Sequence, residues 1–346
     1  MDTLRGAPLV TSSPPTTFAL ATFAAADGRP LPAIVREGRA AALAPHLGGE
    51  RTIRELVDDW DAALPALQAL ADRLEPQAYD LIVDELRPLP PLLPPGQIFQ
   101  AGANYRQHVL DLMAGAEARG DSSDGLTAAA RDAARAELEE RLQHGNPFVF
   151  LGSAHPMVGA RDEVVLPYDS AQPDWELELA AIIGRPARRV PRERALDCVA
   201  GYTICNDLTS RDALIRPDAR GMGLDWLAGK SSPTFLPTGP LFVPAAHAGD
   251  PANLQITLKV NGKTMQDEST ADMVFDVAAL ISFISNVAEL RAGDLVLTGS
   301  PAGNGASMGV FLAPGDVMEG TITGLGMQRN VCIAEVPAKT KEVAAA

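Results

Sequence analysis

Apolar and polar positions change their period several times along the chain, and the changes divide it. Residues 18–24, 33–36 and 40–43 read as short strands. The apolar spacing over residues 52–70 is helical, so residues 16–92 are expected to form a small α/β module behind a mobile Pro/Ser/Thr-rich start at 1–15. The run Pro88-Leu89-Pro90-Pro91-Leu92-Leu93-Pro94-Pro95 can hold neither a helix nor a central strand, and it predicts an extended linker. From Ile98 onward short strands alternate with Gly/Pro turns, which predicts a β-rich α+β domain over 93–336 and a short tail at 337–346. Within it, residues 256–260 alternate and meet Asn261-Gly262, a hairpin signal, and residues 273–290 have the spacing of a helix packed on a sheet.

One alternating segment carries charge. In Asp174-Trp175-Glu176-Leu177-Glu178-Leu179 the side chains of a strand would point to opposite faces in turn, so Glu176 and Glu178 share one face opposite Trp175, Leu177 and Leu179. The following Ala180-Ala181-Ile182-Ile183 is apolar on both faces, as in an interior strand, and adjacent like charges in an interior call for a cation. A second apolar run, 199–205, delivers Asn206-Asp207 at its end. Three carboxylates without a neighbouring His or Cys suit a hard divalent ion, Mg²⁺ or Mn²⁺ with Ca²⁺ possible, better than zinc. The alternative is an edge strand with both glutamates in solvent and Asp207 as a loop cap.

The chain resembles the fumarylacetoacetate hydrolase family. The resemblance rests on Gly102-Ala103-Asn104-Tyr105-Arg106-Gln107-His108, Trp175-Glu176-Leu177-Glu178-Leu179 and Gly201-Tyr202-Thr203 through Asn206-Asp207. It continues in Ser210-Arg211-Asp212, Gly229-Lys230-Ser231, Val260-Asn261-Gly262 and Thr298-Gly299-Ser300-Pro301, in the family's order over roughly residues 97–330. It implies a mixed β-roll or sandwich assembled as a homodimer, acting on a metal-chelated 2-oxo acid. Glu176, Glu178 and Asp207 would be the metal ligands. His108 would be the general base with Asp111 as its acid partner, Lys230 or Arg211 would oppose charge developing on the keto oxygen, and Asn104 and Tyr105 would line the substrate site. Gly299 and Ser300 would hold the substrate carboxylate, unless their turn is merely structural.

Several departures from the family pattern qualify the activity. Asp111 is shorter than the usual Glu. Gly152 stands where many members have a substrate-facing Lys, and Leu214 where the namesake hydrolase has Gln, which points to a less polar or bulkier distal group on the substrate. Residues 112–146 exceed the usual connection and, with a helical stretch at 127–143, are expected to cover the site mouth. The leading expectation is hydrolysis of a carbon–carbon bond in a 2,4-dioxo acid or β-diketone. Decarboxylation, isomerisation or dehydration of a 2-oxo acid would use the same enolate, and a non-catalytic ligand-binding β-roll with a structural cation is the reading of another class.

Charge and cysteine usage narrow the partners. With 29 Lys+Arg against 44 Asp+Glu the formal charge is −15, and no basic stripe is present, so neither nucleic acid nor an anionic membrane is an expected ligand. Cys198, Cys205 and Cys332 lie in apolar contexts and read as buried thiols of a reducing compartment. The apolar run 18–26 continues into Asp27-Gly28 like a strand entering a turn rather than a signal peptide, which favours the cytoplasm. His46, His144, His155 and His247 have no partner pattern.

Overall fold

The computed structural model describes residues 18–111, 132, 133, 136, 138–140, 144–219 and 221–336. Most of the expected covering insertion lies outside the described residues; those described between 132 and 140 are helical, and Leu138 is buried.

The fold is β-rich α+β. Its centre is a mixed sheet whose strands run, in spatial order, Phe148–Gly152, Ile98–Gly102, Leu295–Leu297, Leu177–Ile183, Val199–Asn206, Leu236–Thr238 and Met157–Gly159, with Val243–Pro244 also paired to Val199–Asn206. The glutamate strand is therefore interior, flanked by antiparallel neighbours on both sides. Its two faces enter different cores. Leu177, Leu179, Ala181 and Ile183 pack with Ile256, Leu258, Met318 and Ile322 of a second sheet and with Val277, Leu280 and Ile281 of a helix. Ala180 and Ile182 pack with Leu20, Ile34, Ile53, Leu56, Trp60 and Leu67 of the N-terminal module. Gly320 permits the sheets to approach: a Cβ there would lie 2.6 Å from Leu177 Cδ1.

The second sheet runs Lys263–Ser269, Gln255–Val260, Val317–Ile322, Gly326–Ala334 and Val164–Leu166. Asn261 and Gly262 close its hairpin with φ of 52° and 78°, the left-handed pair that a two-residue turn requires. The expected helix is shorter than its apolar spacing, Val277–Val287, because the Asp276 side chain accepts from Ala279 N–H and caps it there.

In the N-terminal module, strands Ala19–Ala24, Pro30–Arg36 and Arg39–Ala42 match the expected ones. The helical stretch divides into Ile53–Val57, opened by a Thr52/Glu55 capping box, and Trp60–Arg73, with the break at Asp58-Asp59. The proline-rich run is less free than a linker: Pro88–Leu89 pairs with Ala19–Ala24 at the sheet edge, where a missing N–H is tolerated. Cys198, Cys205 and Cys332 are free and buried. Among the described residues no helix is long and apolar enough to cross a membrane.

Candidate metal and substrate site

Glu176 and Glu178 stand at the head of the interior strand, on the face that continues as Ala180 and Ile182. The antiparallel neighbour Val199–Asn206 ends beside them and places Asp207, whose N–H donates to Glu176 O at 2.8 Å. Ligand oxygens of Glu176, Glu178 and Asp207 lie within 4.8 Å of one another, and all three residues are buried. The solvent-exposed edge-strand alternative is thereby excluded.

Two cations reach this cluster. Lys230, the last residue of the Trp226–Lys230 helix, puts Nζ 2.7 Å from Glu176 Oε2 and 2.5 Å from Asp207 Oδ2, and donates to Thr209 Oγ1 at 2.8 Å. Arg211 forks between Asp174 Oδ2 at 2.7 Å and Glu176 Oε1 at 2.6 Å. Asp174 is further satisfied by the N–H groups of Trp175, Gly305 and Ala306. Four buried carboxylates thus face the buried Lys230 and the partly buried Arg211, and Glu178 pairs with neither: its hydrogen-bond donor is the Gly299 N–H at 2.7 Å. With every carboxylate ionised this is a formal excess of two negative charges in a buried cluster, which a divalent cation would offset.

The protonation equilibria follow the same asymmetry. Burial opposes ionisation of Glu176, yet Arg211 and Lys230 hold its carboxyl well below the usual range. Glu178 is pushed well above that range by burial and by the charges of Asp207 and Glu176. Asp207 is raised to about 6, burial outweighing the attraction of Lys230. Lys230 stays cationic because Asp207 and Glu176 outweigh its own burial. His108, also buried, is held below its ordinary value by desolvation, with Glu176 acting in the opposite sense. It is therefore neutral near pH 7 and able to accept a proton.

The sequence-predicted residues fall into a group that converges on the acid cluster and a group tied to backbone. Glu176, Glu178, Asp207, Lys230 and Arg211 converge, with His108 in their electrostatic reach. The Asn104 amide is engaged by backbone. It donates to Phe275 O and Thr298 O and accepts from Phe275 N–H, tying two loops together. Tyr105 is fully buried beside it and bridges to Met273. The Gly299 N–H donates to Glu178 at 2.7 Å, with φ of 86° at Gly299. Ser300 Oγ accepts from Gln266 Nε2 at 2.8 Å. Asp111 accepts from Gln107 Nε2 at 2.8 Å, one helical turn away, and no hydrogen bond joins it to His108 among the described residues.

Two residues escaped the sequence reading. Asp174 extends the Glu176/Glu178 alternation by one step and anchors Arg211. Gln100, a lone polar residue in the apolar strand Ile98–Gly102, donates from Nε2 to Asp207 Oδ1 at 2.6 Å. It fits because position 152 is glycine: a Cβ there would lie 2.1 Å from Gln100 Oε1.

The family model described as fumarylacetoacetate (FAA) hydrolase C-terminal matches residues 97–333. A 2,4-didehydro-3-deoxy-L-rhamnonate hydrolase of a Sphingomonas strain is 41% identical over 187 residues, 53% of this chain and 64% of that protein, so the match spans a little under two thirds of the relative. A mitochondrial oxaloacetate tautomerase of Xenopus laevis is 33% identical over 267 residues, 77% of this chain and 74% of that protein. Among solved structures, a probable 2-hydroxyhepta-2,4-diene-1,7-dioate isomerase from Mycobacterium abscessus superposes with a TM-score of 0.71 at 29% identity, covering 93% of this chain and 100% of the other.

Proposed function

Because this chain belongs to the fumarylacetoacetate hydrolase family, we propose that it is a metal-dependent hydrolase that cleaves a carbon–carbon bond in a 2,4-dioxo acid, releasing pyruvate and a carboxylic acid. The observation that carries this reading is the buried excess of carboxylates over cations around Glu178. Glu176, Glu178 and Asp207 would hold the ion, and an all-oxygen donor set favours Mg²⁺ or Mn²⁺. When bound, the ion would supply Lewis-acid stabilisation of negative charge on a chelated 2-oxo acid.

The chain's own groups supply the rest. Neutral His108 takes a proton from water as the water oxygen bonds to the distal carbonyl carbon. The bond between C3 and C4 of the dioxo acid then breaks, its electron pair passes to the pyruvate enolate, and the enolate carbon takes up the proton held by His108. Lys230 and Arg211, fixed by Glu176, keep positive charge beside the developing oxyanion without reorganisation. The 41% identity to a hydrolase acting on a 2,4-didehydro-3-deoxy sugar acid supports this class. A homodimer is the proposed assembly, to be read as twice the chain mass in sedimentation.

A second reading, 2-oxo acid tautomerisation, is favoured by one specific observation. Asp111 is held by Gln107 rather than by His108, so among the described residues no carboxylate is hydrogen-bonded to the imidazole to orient it for water activation, whereas moving a proton between carbon and oxygen needs no attacking water. The relative named as an oxaloacetate tautomerase points the same way.

Mg²⁺- or Mn²⁺-loaded protein given acetylpyruvate should consume the enol absorbance and release acetate and pyruvate in equal amounts. His108→Ala should slow this by about 10²-fold or more. Accelerated keto–enol exchange of oxaloacetate with acetylpyruvate left intact would select the tautomerase. No turnover of either, together with no binding of oxalate, would remove both readings.

A further inference from the structure

We propose that Phe148, Phe150 and Trp226 form an apolar subsite for the distal end of the substrate, so that the preferred substrates are 2-oxo acids carrying a flat, uncharged, aromatic-sized group beyond C4. The inference rests on the metal-site reading above and adds to it the chemical class of the far end.

The register fixes which way these rings point. Gln100 pairs with Phe150, Gly102 with Phe148 and Ile98 with Gly152 across the edge strand and its neighbour, and paired residues share a face. Gln100 is the residue whose amide touches Asp207, so Phe148 and Phe150 project from the same side of the sheet as the acid cluster. Trp226 arrives from the other direction. It opens the one-turn helix that ends in Lys230, and four residues apart on a helix the two side chains lie on one side.

The rings meet. Phe150 and Trp226 stack with centroids 4.2 Å apart at 14°, and Phe148 closes on Trp226 at 5.8 Å and on Phe150 at 6.2 Å. Lys230 Nζ stands 6.0 Å from the Phe150 centroid, so the aromatic ledge begins where the carboxylate cluster ends. The ledge is open: Phe148 is 49% exposed, and its strand is the outer edge of the sheet. Exposed aromatic surface continuous with a buried polar centre is the usual make-up of a small-molecule site, in which polar groups orient one end and apolar walls take the other.

The same surroundings disfavour a charged far end. Lys230, the cation beside the rings, is engaged by Glu176 and Asp207. Arg216, which approaches the cap of the Trp226 helix, is held by Asp218 and Asp225. Position 152 offers no side chain, and Leu214, packed against Gly229, is apolar. Among the described residues, a second carboxylate laid on this ledge would lose hydration without gaining a partner.

The test compares ligands on the full Mn²⁺-loaded chain. Oxalate measures the metal centre alone. 4-Phenyl-2,4-dioxobutanoate, its 4-methyl counterpart acetylpyruvate, and a 2-oxo diacid of similar length add a phenyl, a methyl or a carboxylate at the far end. The phenyl compound should bind about tenfold more tightly than the methyl compound, and the diacid no better than the methyl one. Phe148→Ala, a change at a half-exposed position, should lower the ratio of phenyl-compound to oxalate affinity by about tenfold. Equal affinities for phenyl and methyl compounds with oxalate still bound would overturn this inference and leave the metal-site reading standing. Failure of oxalate to bind would overturn both. A Phe148→Ala variant that halves its sedimenting mass, with the ligand ratio unchanged, would assign the ledge to a subunit contact instead and overturn the subsite.

Discussion

The two halves of one strand face, Glu176 and Glu178 on one side of position 179 and Ala180 and Ile182 on the other, are equally buried and chemically opposite. Ala180 and Ile182 meet the N-terminal module, whose Trp60, Leu56 and Leu20 cover them with apolar surface. Glu176 and Glu178 lie where Arg211, Lys230, Gln100 and the Gly299 N–H arrive instead. Burial alone therefore does not decide what a strand position does; the elements packed opposite it do. The apolar half contributes stability, about 1.5–3 kcal/mol for each large side chain fully buried. The charged half is held in a state that favours a cation.

That contrast breaks most visibly at the glutamates themselves. Glu176→Gln leaves Arg211 and Lys230 without their shared carboxylate, and chemical denaturation of the metal-free protein should show a loss of about 3–5 kcal/mol. Glu178→Gln removes a carboxylate that no cation contacts, so the metal-free protein should lose less than about 1 kcal/mol. Both should abolish Mn²⁺ binding in calorimetric titration. Equal destabilisation by the two would contradict the charge arrangement described here. On the apolar half, Ile182→Ala should cost about 2–4 kcal/mol by leaving a cavity against the N-terminal module, with Mn²⁺ affinity kept.

How far the sequence foretold this depended on whether the signal was local. The alternation around Glu176 and Glu178, the run ending in Asp207, and the Asn261-Gly262 hairpin were legible because each is a short-range pattern with one physical cause. The family resemblance placed Lys230 and Arg211 at the site as contacts for the keto oxygen; their pairing with Glu176 was not legible, since residues 54 and 35 positions away leave no local trace. Asn104 shows the limit. Its motif marked it as functional, but whether its amide faces substrate or two loop backbones depends on where Phe275 and Thr298 pass. Gln100 was missed for the opposite reason: it belongs to no motif, and its importance arises from a glycine fifty-two positions away.

The Gln100–Gly152 pair sharpens the comparison at a smaller scale. Gln100 holds Asp207 through Oδ1, which leaves Oδ2 to face the cation side. Groups that orient a metal ligand in this way are typically worth about 10–100-fold in affinity, so Gln100→Ala should weaken Mn²⁺ binding by roughly that factor. Gly152→Ala should do nearly the same, because its Cβ would displace the amide. The double variant should bind no more weakly than Gln100→Ala alone, since no amide remains to be displaced. Additive losses would mean that the two positions act separately.

The smallest effect expected is at the base. Desolvation keeps His108 neutral, so its protonated form is populated only below the ordinary value of about pH 6.5, and the acid limb of kcat/KM should fall below that pH. Asp111 adds a negative charge that raises the His108 value. Asp111→Asn should therefore move the acid limb further down and lower kcat less than about tenfold, because its carboxylate is engaged by Gln107. A fall of about 10³-fold or more in kcat, with the limb unmoved, would mean that Asp111 leaves Gln107 to orient the imidazole when substrate is bound, and the argument for tautomerisation over hydrolysis would lose its structural support.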